Sequence, residues 1–189
     1  VDEVASFLKQ LHKAKVPVLW RPYHEMNGIW FWWCNKRGAD GYQKLWKMMY
    51  DRYVNYHNLN NLLWVWNPNA PRDNEGDEAY AYKHYFPGID YVDILAADVY
   101  HNDYRKSHHD SLLSLAHNKP IALGEVGQLP TREVINQQPQ WTWFMGWANW
   151  IHKANDPHSV ELFYNAPKVI TKNEIKKDST GVYEIIQGK

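Results

Sequence analysis

Two glutamates stand where a carboxyl group could do chemistry. Glu25 follows a short apolar run and opens an aromatic block, WRPYHEMNGIWFWW at residues 20–33. Apolar surroundings favour the neutral acid, which suits a general acid working near neutral pH. Glu125 ends a second apolar run, PIALGEVG at residues 120–127, between two glycines that allow close backbone approach. To act as a nucleophile it must stay ionised, and Tyr100 or Arg21 are candidate donors for that purpose. Each residue also has a plainer reading. Glu25 could simply pair with Arg21, and Glu125 could cap a strand-to-loop junction. His24–Glu25 does not begin the HExxH zinc pattern, because position 28 is Gly. Two glutamates at the C-terminal ends of parallel strands would face one mouth. A pair about 5–5.5 Å apart serves glycoside hydrolysis with retention, one as acid/base and one as nucleophile.

The elements that must hold this pair alternate along the chain. Residues 2–14 read as an amphipathic helix with Val4, Phe7, Leu8 and Leu11 on one face, and residues 16–23 as a buried strand. A helix follows over 40–56, with Leu45, Met48, Met49 and Tyr53 facing inward. The spacing then predicts a strand at 62–66 ended by the turn-like Asn67–Pro68–Asn69, a short helix over 77–85 and a strand at 94–100. A helix over 111–117, a strand at 120–125 and a last strand at 142–147 complete the count, although 141–154 also reads as a helix. Near-continuous apolar strands between amphipathic helices imply a parallel sheet covered on both faces. Three strands turn polar or aromatic at their C-terminal ends, at 23–25, 98–100 and 124–125. That is where a (β/α)8 barrel places its chemistry. An open doubly wound sheet is the competing architecture, but no GxGxxG or Walker pattern is present. A complete barrel takes about 250 residues, so five strands in 189 residues describe part of one.

Composition narrows the function. Lys+Arg and Asp+Glu both number 21, and a neutral balance argues against a nucleic-acid partner. The apolar runs fall well short of the roughly 20 residues that span a bilayer, and residues 1–15 lack the apolar region of a signal peptide. With Cys34 alone, neither an internal disulfide nor a multi-cysteine zinc site can form. His108–His109–Asp110 could suggest a metal site but falls in an expected polar loop. The 11 Trp and 13 Tyr fit either an aromatic-rich core or a sugar-binding surface, since a flat apolar ring face matches the C–H face of a sugar. Trp141, Trp143 and Trp150 could stack on sugar or pack against helices. Asp98 and Asp103 are acidic and near the proposed mouth, in less clear strand-end settings than the chosen pair.

The aromatic block at 20–33 resembles the acid/base strand of glycoside hydrolase family 26, a family dominated by endo-β-1,4-mannanases. LWVWNPN at 63–69 is similar to that family's next strand, DVY at 98–100 to the one after, and LGE at 123–125 to its nucleophile strand. FMGW at 144–147 resembles the eighth strand, and YNAP at 164–167 is similar to a stretch near the family's C-terminus. The resemblance implies Glu25 as acid/base on strand four and Glu125 as nucleophile on strand seven. It implies that His24 contacts the sugar or orients the nucleophile, that Tyr100 hydrogen-bonds the nucleophile, and that Trp30, Phe31 and Trp147 line the subsites. Arg21 belongs to the same substrate-binding set. Cys34 stands where the family pattern has Gly.

The implied protein is a retaining endo-1,4-β-mannanase acting on mannan, galactomannan or glucomannan, with no cofactor, no metal and no membrane partner. A β-1,3-xylanase or lichenase-type β-glucanase is the alternative within the family; a non-catalytic polysaccharide-binding domain is the alternative from another class. A polymeric substrate implies an extracellular or cell-surface location. The expected fold is one catalytic domain over residues 1–189, a partial (β/α)8 TIM barrel of about five parallel strands with outer helices. The first three βα units are missing from it, and partner strands from that N-terminal part would complete it. Five strands cannot meet the closure geometry of a barrel, so the isolated piece is expected to be inactive.

Overall fold

The computed structural model describes residues 1–186. Five strands form a single parallel sheet in chain order. They are β1 (Val18–Trp20), β2 (Leu62–Trp66), β3 (Ile94–Val99), β4 (Ile121–Val126) and β5 (Trp141–Gly146). Consecutive neighbours in an all-parallel sheet require crossovers; α-helices supply three of them, and the one between β2 and β3 has only the 3₁₀ turns Tyr82–His84 and Ile89–Tyr91. α1 (Asp2–Lys13) leads into β1, α2 (Tyr42–Asp51) connects β1 to β2, α3 (Lys106–Ala116) connects β3 to β4, and α4 (Arg132–Gln137) connects β4 to β5. After β5 come α5 (Trp150–Lys153), α6 (Pro157–Tyr164) and an antiparallel hairpin, β6 (Ile175–Lys177) with β7 (Tyr183–Ile185). This is the arc of five parallel strands expected from the alternation, a partial (β/α)8 barrel.

The helices begin and end for local reasons. α1 carries Asp2 and Glu3 in its first turn and His12 and Lys13 in its last, a charge order that suits the helix dipole. α6 starts at Asp156, whose carboxylate accepts from the Ser159 N–H at 2.9 Å, with Pro157 in the first turn, where its missing N–H costs nothing. α2 does not run unbroken over 40–56: its last turn, Arg52–Tyr56, widens into a π-helix. Its buried face is Tyr42, Trp46, Met49 and Tyr53, while Met48 is exposed. The inward position expected for Met48 is therefore wrong. Trp46, on the opposite face from Met48, is buried instead, and its Nε1 donates to the Tyr91 carbonyl at 3.0 Å.

Three other boundaries differ from expectation. β1 stops at Trp20, because Pro22 cannot donate to a ladder. Residues 77–85 hold only a 3₁₀ turn, Tyr82–His84. Instead Ala79 pairs with Arg72 in an isolated antiparallel bridge, past a turn where Gly76 has φ +77°, a conformation glycine adopts freely. α3 begins at Lys106, so His108, His109 and Asp110 sit on a helix, not in a polar loop. His109 is buried edge-on to Trp141 at 5.1 Å, and its Nδ1 lies 2.8 Å from Asp110 Oδ1. That histidine packs the core.

Side chains alternate across the sheet. Leu62, Trp64, Trp66, Leu95, Ala97 and Ile121 pack with Tyr42, Trp46, Met49 and Tyr53 on the helix side. Val65, Ala96 and Ala122 form a separate inner cluster closed by Trp143. The inner layer thins toward β1, where the register partners Leu19 and Leu63 are both exposed, Leu19 by 53%. On α1, Ala5 and Leu8 are buried, but Phe7 is 63% exposed and Val4 and Leu11 are exposed too. Only part of that helix's apolar face meets the described residues.

β1 and β5 are the sheet edges and are paired on one side only. Unpaired edges and a contiguous apolar surface favour association. The 189-residue chain alone is expected to self-associate, which light scattering during size-exclusion chromatography would measure. A monodisperse monomer melting cooperatively would contradict this reading of the exposed face.

Candidate active site

Glu25 sits in the turn that follows β1, in the left-handed region at φ +54°. A non-glycine residue there stores strain, so its neighbours must hold it. Its N–H donates to the Asn67 carbonyl at 2.7 Å, and its own carbonyl accepts from the Gly28 N–H at 2.9 Å and the Cys34 thiol at 3.1 Å. Cys34 is buried, and its contact with Glu25 is to the backbone carbonyl. Gly28 has no room for a side chain: a Cβ would lie 2.3 Å from the Trp30 ring. Trp30 therefore folds back and donates from Nε1 to Glu25 Oε2 at 2.7 Å, while Asn69 Nδ2 donates to Oε1 at 2.5 Å.

Glu125 reaches the same cleft through an irregularity in the sheet. Ala97 pairs with Leu123, but Asp98 pairs with Glu125, so β4 spends one extra residue, Gly124. An extra residue re-aims the side chains that follow it. Without it, strand alternation would send Glu125 to the helix side with Leu123. Gly124 must lack a side chain, because a Cβ would stand 1.7 Å from Asn67 Oδ1 and 2.8 Å from Asp98 Oδ1. Glu125 Oε1 accepts from Arg21 Nη2 and Oε2 from the Tyr100 hydroxyl, both at 2.7 Å. His24 Nε2 stands 3.6 Å from Oε1.

The electrostatics of the two carboxyls differ. Burial pushes the Glu25 carboxyl up from its ordinary value, the Asn69 and Trp30 donors pull it back, and the nearby Glu125 charge raises it again. Burial, then the Arg21 charge, lowers the His24 pKa, so its imidazole is held neutral. Asp98, fully buried, is pushed well above the carboxylate range by burial and then by Glu125, with Arg21 opposing. Tyr100 is raised by burial and by its bond to Glu125, so it stays a donor.

An open cleft of about 340 Å³ is lined by His24, Glu25, Trp30, Phe31, Tyr100, Glu125 and Trp147. Arg21 lies behind it on Glu125, so the structure brings all eight residues singled out from the sequence to one place. Sequence reasoning missed Asn69, Arg72, His101 and the lining role of Trp150. Asn69 carries a signal, as the last residue of the motif at 63–69, although by itself that stretch reads as a turn. Asp98, in a less clear strand-end setting by sequence, is fully buried 3.5 Å from Arg21. Asp103 instead pairs with Arg105 at 2.7 Å. Trp141 and Trp143 pack in the core, while Trp150 stands edge-on to Tyr100 at 5.7 Å. Ligand atoms of His24, Asp98 and Glu125 lie within 4.8 Å of one another, but Arg21 already supplies positive charge to both carboxylates.

The sequence model of the glycosyl hydrolase 26 family matches residues 1–174. The chain belongs to glycosyl hydrolase family 26. A mannan endo-1,4-beta-mannosidase of Thermothelomyces thermophilus is 39% identical over 183 residues, covering 93% of this chain and 35% of that protein. The structure of GH26A from Muricauda sp. MAR_2010_75 superposes with a TM-score of 0.89 at 62% identity, covering 93% of this chain and 57% of that one. A beta-mannanase from a symbiotic protist of the termite Reticulitermes speratus, solved with a gluco-manno-oligosaccharide, gives a TM-score of 0.72 at 33% identity and covers 89% of this chain and 51% of that one. The chain thus spans between about a third and somewhat over half of these relatives.

The tightest steric demand in the site is at Gly124. Gly124→Ala is expected to destabilise the protein by about 1–3 kcal/mol, the usual cost of overpacking, read from the denaturant midpoint. An unchanged midpoint would mean that the extra residue in β4 is not sterically required.

Proposed function

We propose that these residues carry the catalytic pair of a retaining endo-1,4-β-mannanase, with Glu25 as acid/base and Glu125 as nucleophile. The observation that carries this reading is the asymmetry of two carboxyls on one cleft. Glu125 has one oxygen on a cation and the other on a phenol, which suits a group that must attack as the anion. Glu25 is pushed toward its neutral form by burial, which suits a group that must first give a proton. The family's mannanases support the choice of substrate.

In the first step Glu25 protonates the glycosidic oxygen while Glu125 bonds to the anomeric carbon, and the C–O bond to the leaving sugar breaks. A glycosyl ester on Glu125 results. In the second step Glu25, now ionised, takes a proton from water as its oxygen attacks the same carbon, releasing Glu125. Two inversions give net retention. Trp147, Trp30 and Phe31 offer ring faces to the C–H face of the sugar, and neutral His24 stands beside the nucleophile to meet a sugar hydroxyl. Hydrolysis of this kind requires no metal or cofactor. The reading places the whole protein where polymeric mannan is met, outside the cell or on its surface. It also assigns the open β1 side of the sheet to three further strands of the same protein, which would close the barrel and complete the glycone subsites.

The test uses the whole protein and reducing-sugar release from mannan, glucomannan and lichenan, with mannan or glucomannan expected to be cleaved fastest. Preference for lichenan would move the assignment to a β-glucanase. Glu125→Ala is expected to abolish turnover of every substrate. Glu25→Ala should spare the first step for aryl glycosides with good leaving groups, and azide should then give a β-glycosyl azide. An α-configured azide product would reverse the two roles. The basic limb of kcat/KM against pH should lie above the ordinary range for a glutamate, because the acid must be protonated and its pKa is raised.

A further inference from the structure

Arg72 has no part in the steps above, yet it lies against both groups that donate to Glu25. Its Nη1 donates to Asn69 Oδ1. Its guanidinium carbon stands 5.3 Å from the centre of the Trp30 ring. Asp77 holds it from behind, accepting from Nη2 at 2.5 Å and from Nε at 2.8 Å. The backbone beneath is tied by two bonds between Arg72 and Ala79, at 2.9 and 3.0 Å.

A guanidinium carries only donors. The end of the Asn69 amide that faces it must therefore be the carbonyl oxygen, and the NH₂ must point away, onto Glu25 Oε1. The Asn69 backbone is fixed separately, through the Asn27 amide, which accepts from its N–H at 2.8 Å and donates to its carbonyl at 2.7 Å. Those bonds place the residue but leave the two ends of its side-chain amide interchangeable. A turned amide would set an oxygen against Glu25, which suits the protonated carboxyl and opposes the ionised one. Among the described residues, Arg72 is the group that holds the amide one way round in both protonation states of Glu25.

We propose that Arg72, clamped by Asp77, is the positioning residue that locks the Asn69 amide and steadies the Trp30 indole, keeping two donors on the acid/base carboxyl. The proposal rests on the assignment of Glu25 as acid/base. Other titratable groups around Glu25 are Glu125 and Asp98 on the sheet, Tyr100 beyond β3, Cys34 in the same loop, and His24 and His101 on the cleft. All of these stay in place in the variants below. Losing Arg72 removes a nearby cation and frees a donor, and both effects drive the Glu25 pKa upward.

The experiment follows the Glu25 carboxyl by carbon-13 NMR against pH, together with kcat/KM on mannan in the whole protein, for the native enzyme and Arg72→Met. The Glu25 midpoint and the basic limb should both move to higher pH. kcat should fall by up to about 100-fold, the scale of a misplaced catalytic group, with a smaller change in KM. Arg72→Lys, which keeps a cation and a donor for Asn69 Oδ1, should recover part of both. In an Asn69→Ala background Arg72→Met should add little. If Arg72→Met does not fold, Arg72→Gln, which also removes the cation, should shift the midpoint in the same direction. An unmoved Glu25 midpoint in whichever of these variants folds, or effects of Arg72 and Asn69 that simply add, would overturn the proposal. Absence of mannan hydrolysis by the native protein would overturn the functional assignment instead, and the NMR midpoint would still decide the role of Arg72.

Discussion

Burying two carboxylates side by side is the constraint around which this site is built. Asp98 and Glu125 are register partners on adjacent strands, 0% and 3% exposed, facing the same side of the sheet. Like charges in a low-dielectric interior repel strongly unless a cation or a proton intervenes. Arg21 supplies the cation, 2.7 Å from Glu125 and 3.5 Å from Asp98. Burial, then the Glu125 charge, raises the Asp98 carboxyl well above its ordinary value, which favours its protonated form. Arg21 sits just past β1, so the β1–β2 pairing is part of the electrostatics of β4.

The loops on the Glu25 side follow a different logic. Glu25 lies off the strand in a left-handed turn, so hydrogen bonds rather than sheet register hold it. Asn67, Gly28 and Cys34 tie down its backbone, and Asn27 stitches the same loop to Asn69 and Tyr80. The aromatic block then closes over it. Phe31 stacks on Trp33 at 4.5 Å, and Trp33 donates to the His24 carbonyl at 2.8 Å. Strain at one residue is offset by a dense set of bonds from several segments, which is how a strained residue persists.

The two carboxyls are thus positioned by unlike means. β4 offers a rigid element with one extra residue, which fixes direction. The loop after β1 offers adjustable donors, which fix ionisation and aim. On the proposed roles, a nucleophile must travel little and stay charged, whereas an acid/base must change protonation state twice per turnover. The more polar, less regular cradle of Glu25 is consistent with the second of these.

By itself the sequence determined the alternation of strands and helices, and it singled out two glutamates and several aromatics that line one cleft. These depend on local apolar runs and on residue types at strand ends, which need no knowledge of distant partners. β2 begins and ends where its apolar run does, at Leu62 and Trp66. Only the tertiary structure decided the rest. Nothing local marks Gly124 as an extra residue, because the register is set by β3 across the ladder. Asp98 reads as one more polar residue until Arg21, 77 positions away, is seen beside it. The His109 pair looked like a loop because the start of α3 lacks a capping side chain, and its burial depends on Trp141 from a later strand. Arg72 gains its meaning solely from what it touches. Such contacts join residues far apart in the chain, and their energy comes from desolvation and geometry that no short window of sequence contains.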